Sequence, residues 1–268
     1  MPNDSIERAR IRVERKAQQQ RTGEQQRTEG SARRAAVQRT MALQGHTGVR
    51  RFVFENGLVL AALALFLFSF AGQILTGHAV YNEEQQAHAS PMISLAGYLR
   101  TGAFVEATAE NWESEFLQMA VFVILTVFLY QRGSSESKTI EEPNPVDQRP
   151  EEARADPDAP GPVRRGGAAL WFYKHSLSIA LFALFVASFL AHAVGGGAKF
   201  NQEQQQHGQP QVSTLGYLAT SRFWFESFQN WQSEFLSVGV LVLFSIWLRE
   251  QGSPQSKPVA AAHSDTGE

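Results

Sequence analysis

The chain of 268 residues contains no cysteine. This absence excludes disulfide bridges, thiolate metal sites and thiol nucleophiles. The sequence also lacks a glycine-rich phosphate loop, an HExxH metal motif, a Ser–His–Asp candidate set and a nucleotide-binding fingerprint. With no such catalytic pattern present, we expect a protein that is not an enzyme.

Charge is missing from two long stretches. Residues 57–75 carry no charge over 19 residues, and the only ionisable side chain in residues 177–194 is His192. Each stretch approaches the roughly 20 residues that a helix needs to cross about 30 Å of hydrocarbon. Two shorter apolar runs, 116–130 and 235–248, each follow a Trp-x-Ser-Glu sequence that supplies an interfacial aromatic residue. We therefore predict four membrane spans, at about 57–75, 112–130, 177–194 and 231–248.

Residues 52–140 and 171–259 are two copies of one segment. A shift of 119 positions aligns 89 residues without a gap, and 34 of them are identical. Two of the shared words are Asn-x-Glu-Gln-Gln-x-His, at 82–88 and 201–207, and Asn-Trp-x-Ser-Glu-Phe-Leu, at 111–117 and 230–236. Because each copy holds two apolar runs, we predict an all-α membrane protein of two parallel tandem hairpin repeats. Short interfacial helices are expected in the loops that join the paired spans.

Basic residues are sorted between the two sides of the predicted membrane. Of the 24 Lys and Arg residues, only Arg100, Lys199 and Arg222 lie in the loops between paired spans. The positive-inside rule then places both termini in the cytoplasm and the loops 76–111 and 195–230 outside.

The remaining segments are divided by composition. Residues 1–49 are basic and too poor in large apolar side chains to fold alone, so we predict a disordered, solvated tail. Attraction to anionic lipid is the alternative, and a translation start at Met41 would remove most of the tail. The first membrane repeat covers 50–138, an acidic proline-rich cytoplasmic linker covers 139–166, the second repeat covers 167–258, and a C-terminal tail covers 259–268.

Capping residues predict the local structure of each loop. Asn82, followed three positions later by Gln85, predicts a helix start. Ser94 is expected to open a short turn, and Thr101 is expected to cap a helix that continues through Trp112 into the membrane. The corresponding positions of the second copy predict the same layout.

Aromatic residues near the predicted outer boundary suggest membrane-interface anchors. Tryptophan and tyrosine favour this level because each ring is apolar and carries a polar atom. The residues predicted as anchors are Trp112, Trp231, Trp224, Tyr98 and Tyr217.

Repeated carboxylates and histidines form the candidate chemical site. Glu84 and His88 are four residues apart on one helix face, and Glu115 lies directly against an apolar run, where a carboxylate is costly. This set could hold a borderline divalent metal or a proton; the alternative is an ordinary solvated helix surface. The candidate residues are Glu84, His88 and Glu115 in the first copy and Glu203, His207 and Glu234 in the second. No other cofactor is predicted.

A polar stripe follows the returning spans at helical spacing. It predicts either hydrogen bonds between bundle helices or a polar path between the repeats. Its members are Asn111, Gln118, Thr126, Asn230, Ser237 and Ser245.

Two histidines lie near the outer ends of the predicted spans, which raises the question of haem ligation. His78 aligns with Gly197 and His192 aligns with Gln73, so the duplication repeats neither of them. On this ground we expect no haem.

The repeated words resemble a family of uncharacterised bacterial multi-pass membrane proteins that is carried as a domain of unknown function. The matching phrases are Tyr-Asn-Glu-Glu-Gln at 81–85, Phe-Trp-Phe-Glu-Ser-Phe-Gln-Asn-Trp-Gln-Ser-Glu-Phe-Leu at 223–236, and Gly-Ser-Pro-Gln-Ser-Lys-Pro at 252–258. The resemblance covers roughly 48–262 and implies a bacterial inner membrane location, but it carries no activity.

The sequence as a whole predicts a non-enzymatic envelope bundle whose external caps bind a partner, lipid or a second copy of the chain. A small transporter or channel is the alternative, and an external Glu/His metal-binding protein is the second alternative. The lipid bilayer is an expected partner, and nucleic acid is not.

Overall fold

The computed structural model describes residues 37, 47–140 and 143–267. The chain forms two compact units, Met1–Gln73 and Ile74–Glu268. Within the described residues every regular element is helical and no β-strand occurs. The predicted disordered tail and Met41 fall almost entirely outside the described residues.

The helices of the two copies follow the same order and begin at nearly equivalent positions. The first copy contains α1 (Val49–Glu55), α2 (Gly57–Ala87), α3 (Leu95–Tyr98) and α4 (Gly102–Phe128). The connection holds two 3₁₀ turns, Pro145–Asp147 and Pro150–Ala153, and the short helix α5 (Gly161–Arg165). The second copy contains α6 (Gly167–Lys174), α7 (Ser176–Gln206), α8 (Thr214–Leu218) and α9 (Ser221–Phe244).

The long helices α2 and α7 extend well beyond the apolar runs. Each has 31 residues and continues for 12 residues past the end of its run, at 75 or 194. The predicted helix start at Asn82 is therefore wrong, because Asn82 and Asn201 lie inside continuous helices. Among the described residues, α2 and α7 are the helices that are long and apolar enough to cross a membrane.

The predicted starts of the next two helices are confirmed in both copies. The Ser94 hydroxyl accepts a hydrogen bond from the Gly97 N–H, and Ser213 caps α8 in the same way. The Thr101 hydroxyl accepts from the Phe104 N–H, and Thr220 caps α9. A side-chain oxygen at this position satisfies one of the four free N–H groups that every helix start exposes.

Within the second unit, α4 packs along α7 and also against α9. The approach of α4 to α7 depends on glycine. A Cβ atom at Gly102 would lie 2.5 Å from the Gly195 carbonyl oxygen, and a Cβ atom at Gly195 would lie 2.7 Å from the Glu106 amide nitrogen. Small residues at such a crossing let two helix backbones come close, which brings short side chains on both helices within reach of each other.

Hydrogen bonds hold the C-terminal residues that the structure describes. Lys257, which is 1% exposed, donates hydrogen bonds to the carbonyl oxygens of Ala262, His263 and Asp265. The Gly267 N–H also donates to the Ser134 carbonyl, 2.9 Å away. Residues 259–267 therefore fold back over Lys257 and reach the start of the connection between the two copies.

Candidate functional site

The same asparagine holds each loop together. The Asn82 side chain accepts a hydrogen bond from the Ile93 N–H and donates one to the Ile93 carbonyl, at 2.9 and 3.0 Å. Asn201 makes the matching pair with Val212, and both of its distances are 2.8 Å. An amide side chain offers one acceptor and two donors. It can therefore satisfy both the N–H and the carbonyl of one residue in the loop, as a neighbouring strand would.

A buried tyrosine fills the core of each loop. Tyr98 and Tyr217 are 4% and 0% exposed. Each hydroxyl lies over a glycine of the preceding helix: a Cβ atom at Gly196 would be 2.6 Å from the Tyr217 hydroxyl, and Gly77 has the same role beneath Tyr98. The structure differs here from the predicted interface anchors, because these rings pack inside the loops instead of facing lipid.

Three glutamates of α4 lie on one helix face and point toward the helices beside it. Glu106, Glu110 and Glu113 are spaced four and three residues apart, which is the spacing of neighbours on a helix surface. Glu106 is 2% exposed and Glu113 is 0% exposed. Carboxylates as deeply buried as these two require partners.

The partners of these two carboxylates come from α7. His192, which is fully buried, is bonded through Nδ1 to Glu113 Oε2 at 2.7 Å. Seven residues further along α7, Lys199 Nζ lies 2.5 Å from Glu106 Oε2. Two ion pairs therefore join α4 to α7: the His192–Glu113 pair is fully buried, whereas the Lys199 side chain of the second pair is 34% exposed.

Helix α9 completes the set. Trp231 donates its indole N–H to the second oxygen of Glu113, at 3.0 Å. Glu226 Oε2 lies 3.5 Å from His192 Nε2, a close ionic contact that is too long for a good hydrogen bond. We call the seven residues that meet here the polar cluster: Glu106, Glu110, Glu113, His192, Lys199, Arg222 and Glu226.

Arg222 connects the polar cluster to the end of α7. Its Nε donates to Glu226 Oε1 at 3.0 Å, and its two terminal nitrogens bind both oxygens of Glu203. A bidentate guanidinium–carboxylate pair is strong and fixes orientation. Tyr217 adds a hydroxyl hydrogen bond of 2.5 Å to Glu226.

The pKa values of these carboxylates diverge. Burial would raise the pKa of Glu226, but the close contact with His192 and the hydrogen bonds from Tyr217 and Arg222 outweigh burial and lower the pKa to about 2. Burial raises the pKa of Glu106 despite the ion pair with Lys199. For Glu110, burial and then the charge of Glu106 raise the pKa to about 7. Neighbouring carboxylates therefore differ in their affinity for a proton.

None of the seven cluster residues is repeated in the other copy. In the order of the cluster, the equivalent residues are Phe225, Gln229, Gln232, Gln73, Val80, Ala103 and Ala107. The repeated residues therefore form the helices and loops that both copies share. The charged residues of the polar cluster occupy positions at which the two copies differ. His192 was set aside in the sequence analysis because it is not repeated, yet it lies at the centre of the buried network.

Sequence reasoning missed the polar cluster, although a signal was present. Glu106, Glu110 and Glu113 share one helix face, and His192 and Lys199 are two helical turns apart on α7. The charged residues of the cluster lie at positions where the two copies disagree, so the repeated words do not mark them.

Four of the six predicted site residues meet in one cleft. Glu84, His88, Glu203 and His207 line a cavity of about 290 Å³ at the ends of α2 and α7. The other lining residues are Tyr81, Gln85, Ala103, Lys199, Gln202 and Gln206. Glu115 and Glu234 do not line this cleft.

The histidines of the cleft are held in matching ways. His88 Nδ1 bonds to the Glu84 carbonyl at 2.9 Å, and His207 Nδ1 bonds to the Glu203 carbonyl at 2.8 Å. Because a carbonyl only accepts, each ring donates from Nδ1 and a neutral ring keeps Nε2 as an acceptor. In the part of the chain that the structure describes, no group of three or more His, Asp or Glu side chains is arranged to hold a metal ion.

The predicted tryptophan anchors occupy different environments. Trp112 and Trp224 are 40% and 39% exposed. Trp231 is partly buried and bonded to Glu113.

The predicted polar stripe mostly bonds to its own helices. Thr126, Ser237 and Ser245 each donate to a carbonyl three residues earlier. Asn111 and Asn230 donate to carbonyls four residues earlier. Gln118 is partly buried on α4. Ser245 also bonds to Ser134 at 2.7 Å.

Comparison with known proteins assigns a family. Residues 49–268 match the model of a domain of unknown function, DUF6766. The chain belongs to this family. The match covers both copies and the connection between them, which agrees with the extent of the resemblance seen in the sequence. No curated protein and no solved structure matches the DUF6766 chain.

Proposed function

We propose that this DUF6766 chain is a non-enzymatic, multi-pass protein of the bacterial inner membrane that binds a polar partner in the cleft outside the membrane. In this proposal the four spans form two parallel hairpins, both termini are cytoplasmic, and the loops 76–111 and 195–230 are external. The cleft carries the proposal, because equivalent Glu and His residues of both copies converge there.

Exposed apolar surface supports a lipid environment. On α7, Leu177, Phe182 and Leu190 are all more than half exposed. Only 22% of the apolar window of this helix is buried inside the protein. At about 25 cal/mol per Å², leaving such a surface in water is costly, and lipid is the solvent that removes the cost.

The lengths of α4 and α9 support two further spans. Their 27 and 24 residues correspond to about 40 and 36 Å at 1.5 Å per residue. Each helix begins in a loop and ends in an apolar half with exposed large side chains, such as Leu125 and Phe128 on α4 or Leu241 and Phe244 on α9. A helix of this kind can serve both as a wall of the external cap and as a membrane span.

Hydrogen bonds and ion pairs, most of them between the two copies, hold the side chains that line the cleft in place. Tyr81 and Gln202 are joined by a hydrogen bond of 3.0 Å, and Gln202 also reaches Gln85 at 3.4 Å. Lys199 is paired with Glu106, and Glu203 is paired with Arg222. Because these groups are already ordered, binding need not order them, which favours affinity.

The chemistry of the cleft defines the class of partner. Lys199 and Glu203 are each neutralised by an ion pair, which leaves the Glu84 carboxylate, the imidazoles and the glutamine amides as recognition groups. Such a lining suits a hydrogen-bonding group that is neutral or positively charged.

The absence of cysteine makes a sharp topology experiment possible. A single cysteine at Ser90 should react with a membrane-impermeant maleimide added to intact cells. A cysteine at Ser135 should react only after permeabilisation. Equal labelling of both variants in intact cells would contradict the proposed orientation.

Partner binding is tested with a photoactivatable crosslinker attached to a single cysteine. The cleft position is Gln206→Cys, and its matched control is the exposed neighbour Gln205→Cys, which does not line the cleft. We expect an adduct in native membranes from Gln206→Cys that is lost when Glu84→Ala and His88→Ala are added. An equal adduct from both positions, or none, overturns the proposal.

A small transporter is the second candidate, favoured by the buried charges beside apolar helices. Ionisable groups near hydrocarbon commonly mark ion or proton pathways. Flux of ions or small solutes in proteoliposomes, compared with Glu113→Gln and with empty vesicles, tests this candidate. Flux equal to that of empty vesicles rejects it.

A further inference from the structure

We infer that the polar cluster is a proton-binding site, in which the Glu110 carboxyl takes up and releases one proton at the junction of α4, α7 and α9. This role is separate from partner binding in the cleft. None of the seven polar-cluster residues is repeated in the other copy.

A count of charges gives the first argument. Five carboxylates belong to the network: Glu106, Glu110, Glu113, Glu203 and Glu226. The fixed cations are Lys199 and Arg222, and His192 adds at most one more positive charge. The network therefore carries an excess of negative charge in a setting where unbalanced charge is costly.

The assignment of partners gives the second argument. Lys199 pairs with Glu106, His192 with Glu113, and Arg222 with Glu203 and Glu226. Among the described residues, no Lys, Arg or His lies within 4.0 Å of a Glu110 carboxylate oxygen. A proton is then the simplest means of neutralising Glu110.

The groups that face Glu110 come from every packed element. Glu106 and Glu113 lie on its own helix, His192 and Lys199 on α7, and Arg222 and Glu226 on α9. The Tyr217 hydroxyl reaches the cluster from α8. Burial and the neighbouring carboxylate raise the pKa of Glu110 to about 7, so it would exchange its proton within the physiological range.

Two buried polar atoms of the network are left without a hydrogen bond. Glu106 Oε1 and His192 Nε2 are buried without a hydrogen-bond partner among the described residues. Both belong to side chains that are at least 97% buried. A protonated Glu110 carries an O–H donor that an ionised carboxylate lacks, and the unpartnered Glu106 Oε1 is an acceptor of the kind that such a donor satisfies.

The polar cluster also extends to the cleft. Lys199 belongs to the polar cluster and lines the cleft, and Glu203 lines the cleft and holds Arg222. The Glu203 side chain is 36% exposed. The network therefore runs from water in the cleft to the fully buried Glu113.

Infrared difference spectroscopy of purified protein between pH 5.5 and pH 8.5 tests the inference. We expect a protonated-carboxyl band that disappears with a midpoint near pH 7 in the unmodified chain. The band should be absent in Glu110→Gln and unchanged in the matched control Glu115→Gln, which alters an exposed carboxylate of the same helix.

A second reading uses the fluorescence of Trp231, whose indole N–H is bonded to Glu113. Its emission should change with the same midpoint, and the change should be lost in Glu110→Gln. Glu110→Asp, which keeps the carboxyl, should retain a shifted transition, and this variant separates titration from a folding defect.

Three results would overturn the inference. One is a step near pH 7 that survives in Glu110→Gln. Another is a wild-type chain with no protonated-carboxyl band above pH 5.5. The third is a midpoint that moves by more than one pH unit when Na⁺ replaces K⁺, which would identify a monovalent cation as the ligand.

Discussion

The two loops, 76–111 and 195–230, share their folding contacts but not their charges. Asn82 and Asn201 bind the returning chain in the same way, and Tyr98 and Tyr217 fill equivalent cores. In contrast, Glu106, Glu110 and Glu113 of the polar cluster come from α4, whereas its cations and Glu226 come from α7 and α9. Duplicated residues therefore hold the two loops in the same conformation. Residues that differ between the copies form the polar cluster between the helices. In a duplicated protein the differences between copies are as informative as the identities.

Among substitutions with different effects at equivalent positions of the two copies, Glu113→Ala should cause the largest loss of stability. The substitution leaves His192 and the Trp231 N–H without their buried acceptor, and breaking such a pair costs about 3–5 kcal/mol. The equivalent residue Gln232 is exposed, and Gln232→Ala should stay within about 0.5 kcal/mol. Unfolding in detergent measures both, and equal effects would contradict the asymmetry.

Gly102→Ala should be next in size. The new Cβ would meet the backbone of α7 at Gly195 and Lys199, and backbone cannot move aside as a flexible side chain can. We expect a loss of about 1–3 kcal/mol in the free energy of unfolding. The matched control is Ser221→Ala at the exposed equivalent position; if it proves as harmful as Gly102→Ala, the close approach of α4 to α7 is not the cause.

Asn82→Ala and Asn201→Ala should have similar and smaller effects. Each removes two hydrogen bonds to partly exposed backbone that water can replace in part, so a loss of about 1 kcal/mol is expected for each. Asn82→Ala also removes the hydrogen bond between Asn82 and His78. Thermal unfolding of the two single variants checks this. A large loss of stability from only one of the two substitutions would show that the two asparagines do not stabilise their loops equally.

The pH dependence of stability should report Glu110. The pKa of Glu110 is higher in the folded chain than the unfolded value of about 4.5. The proton on Glu110 therefore stabilises the folded chain, and this contribution is fully present below pH 4.5. That contribution is lost as the pH rises through about 7. Compared with Glu110→Gln, the unmodified chain should therefore become less stable from pH 5 to pH 8. The slope should stay below the roughly 1.4 kcal/mol per pH unit of a complete one-proton difference, because Glu110 is only partly buried. A relative stability that rises over this range would have the wrong sign.

The smallest effect should follow changes at the cleft histidines. His88→Ala and His207→Ala remove exposed rings, and we expect metal content to be equal and below one ion per chain with and without them. Metal analysis of the purified proteins checks this. A stoichiometric ion that is lost in the double variant would instead support the external metal-binding alternative.

Much of the local structure could be predicted from particular residues. Ser94 and Thr101 predicted the starts of their helices correctly. A cap is a hydrogen bond between residues three positions apart, and the sequence shows such neighbours directly. Asn82 misled for the same reason. Its local signature was that of a helix start, whereas its real partner, Ile93, lies eleven residues away and satisfies the amide better than a cap would.

The sequence by itself determined that the chain is helical, carries long apolar segments and repeats one layout, because helical period, capping and hydrophobic length are properties of neighbouring residues. Only the tertiary structure decided that His192 meets Glu113, that Lys199 meets Glu106, and that Glu84 and Glu203 share a cleft. Those pairs are separated by 79 or more residues, and the first two meet where glycines at 102 and 195 let α4 and α7 approach closely. Local sequence patterns do not encode a contact of that range, so the polar cluster became visible only in three dimensions.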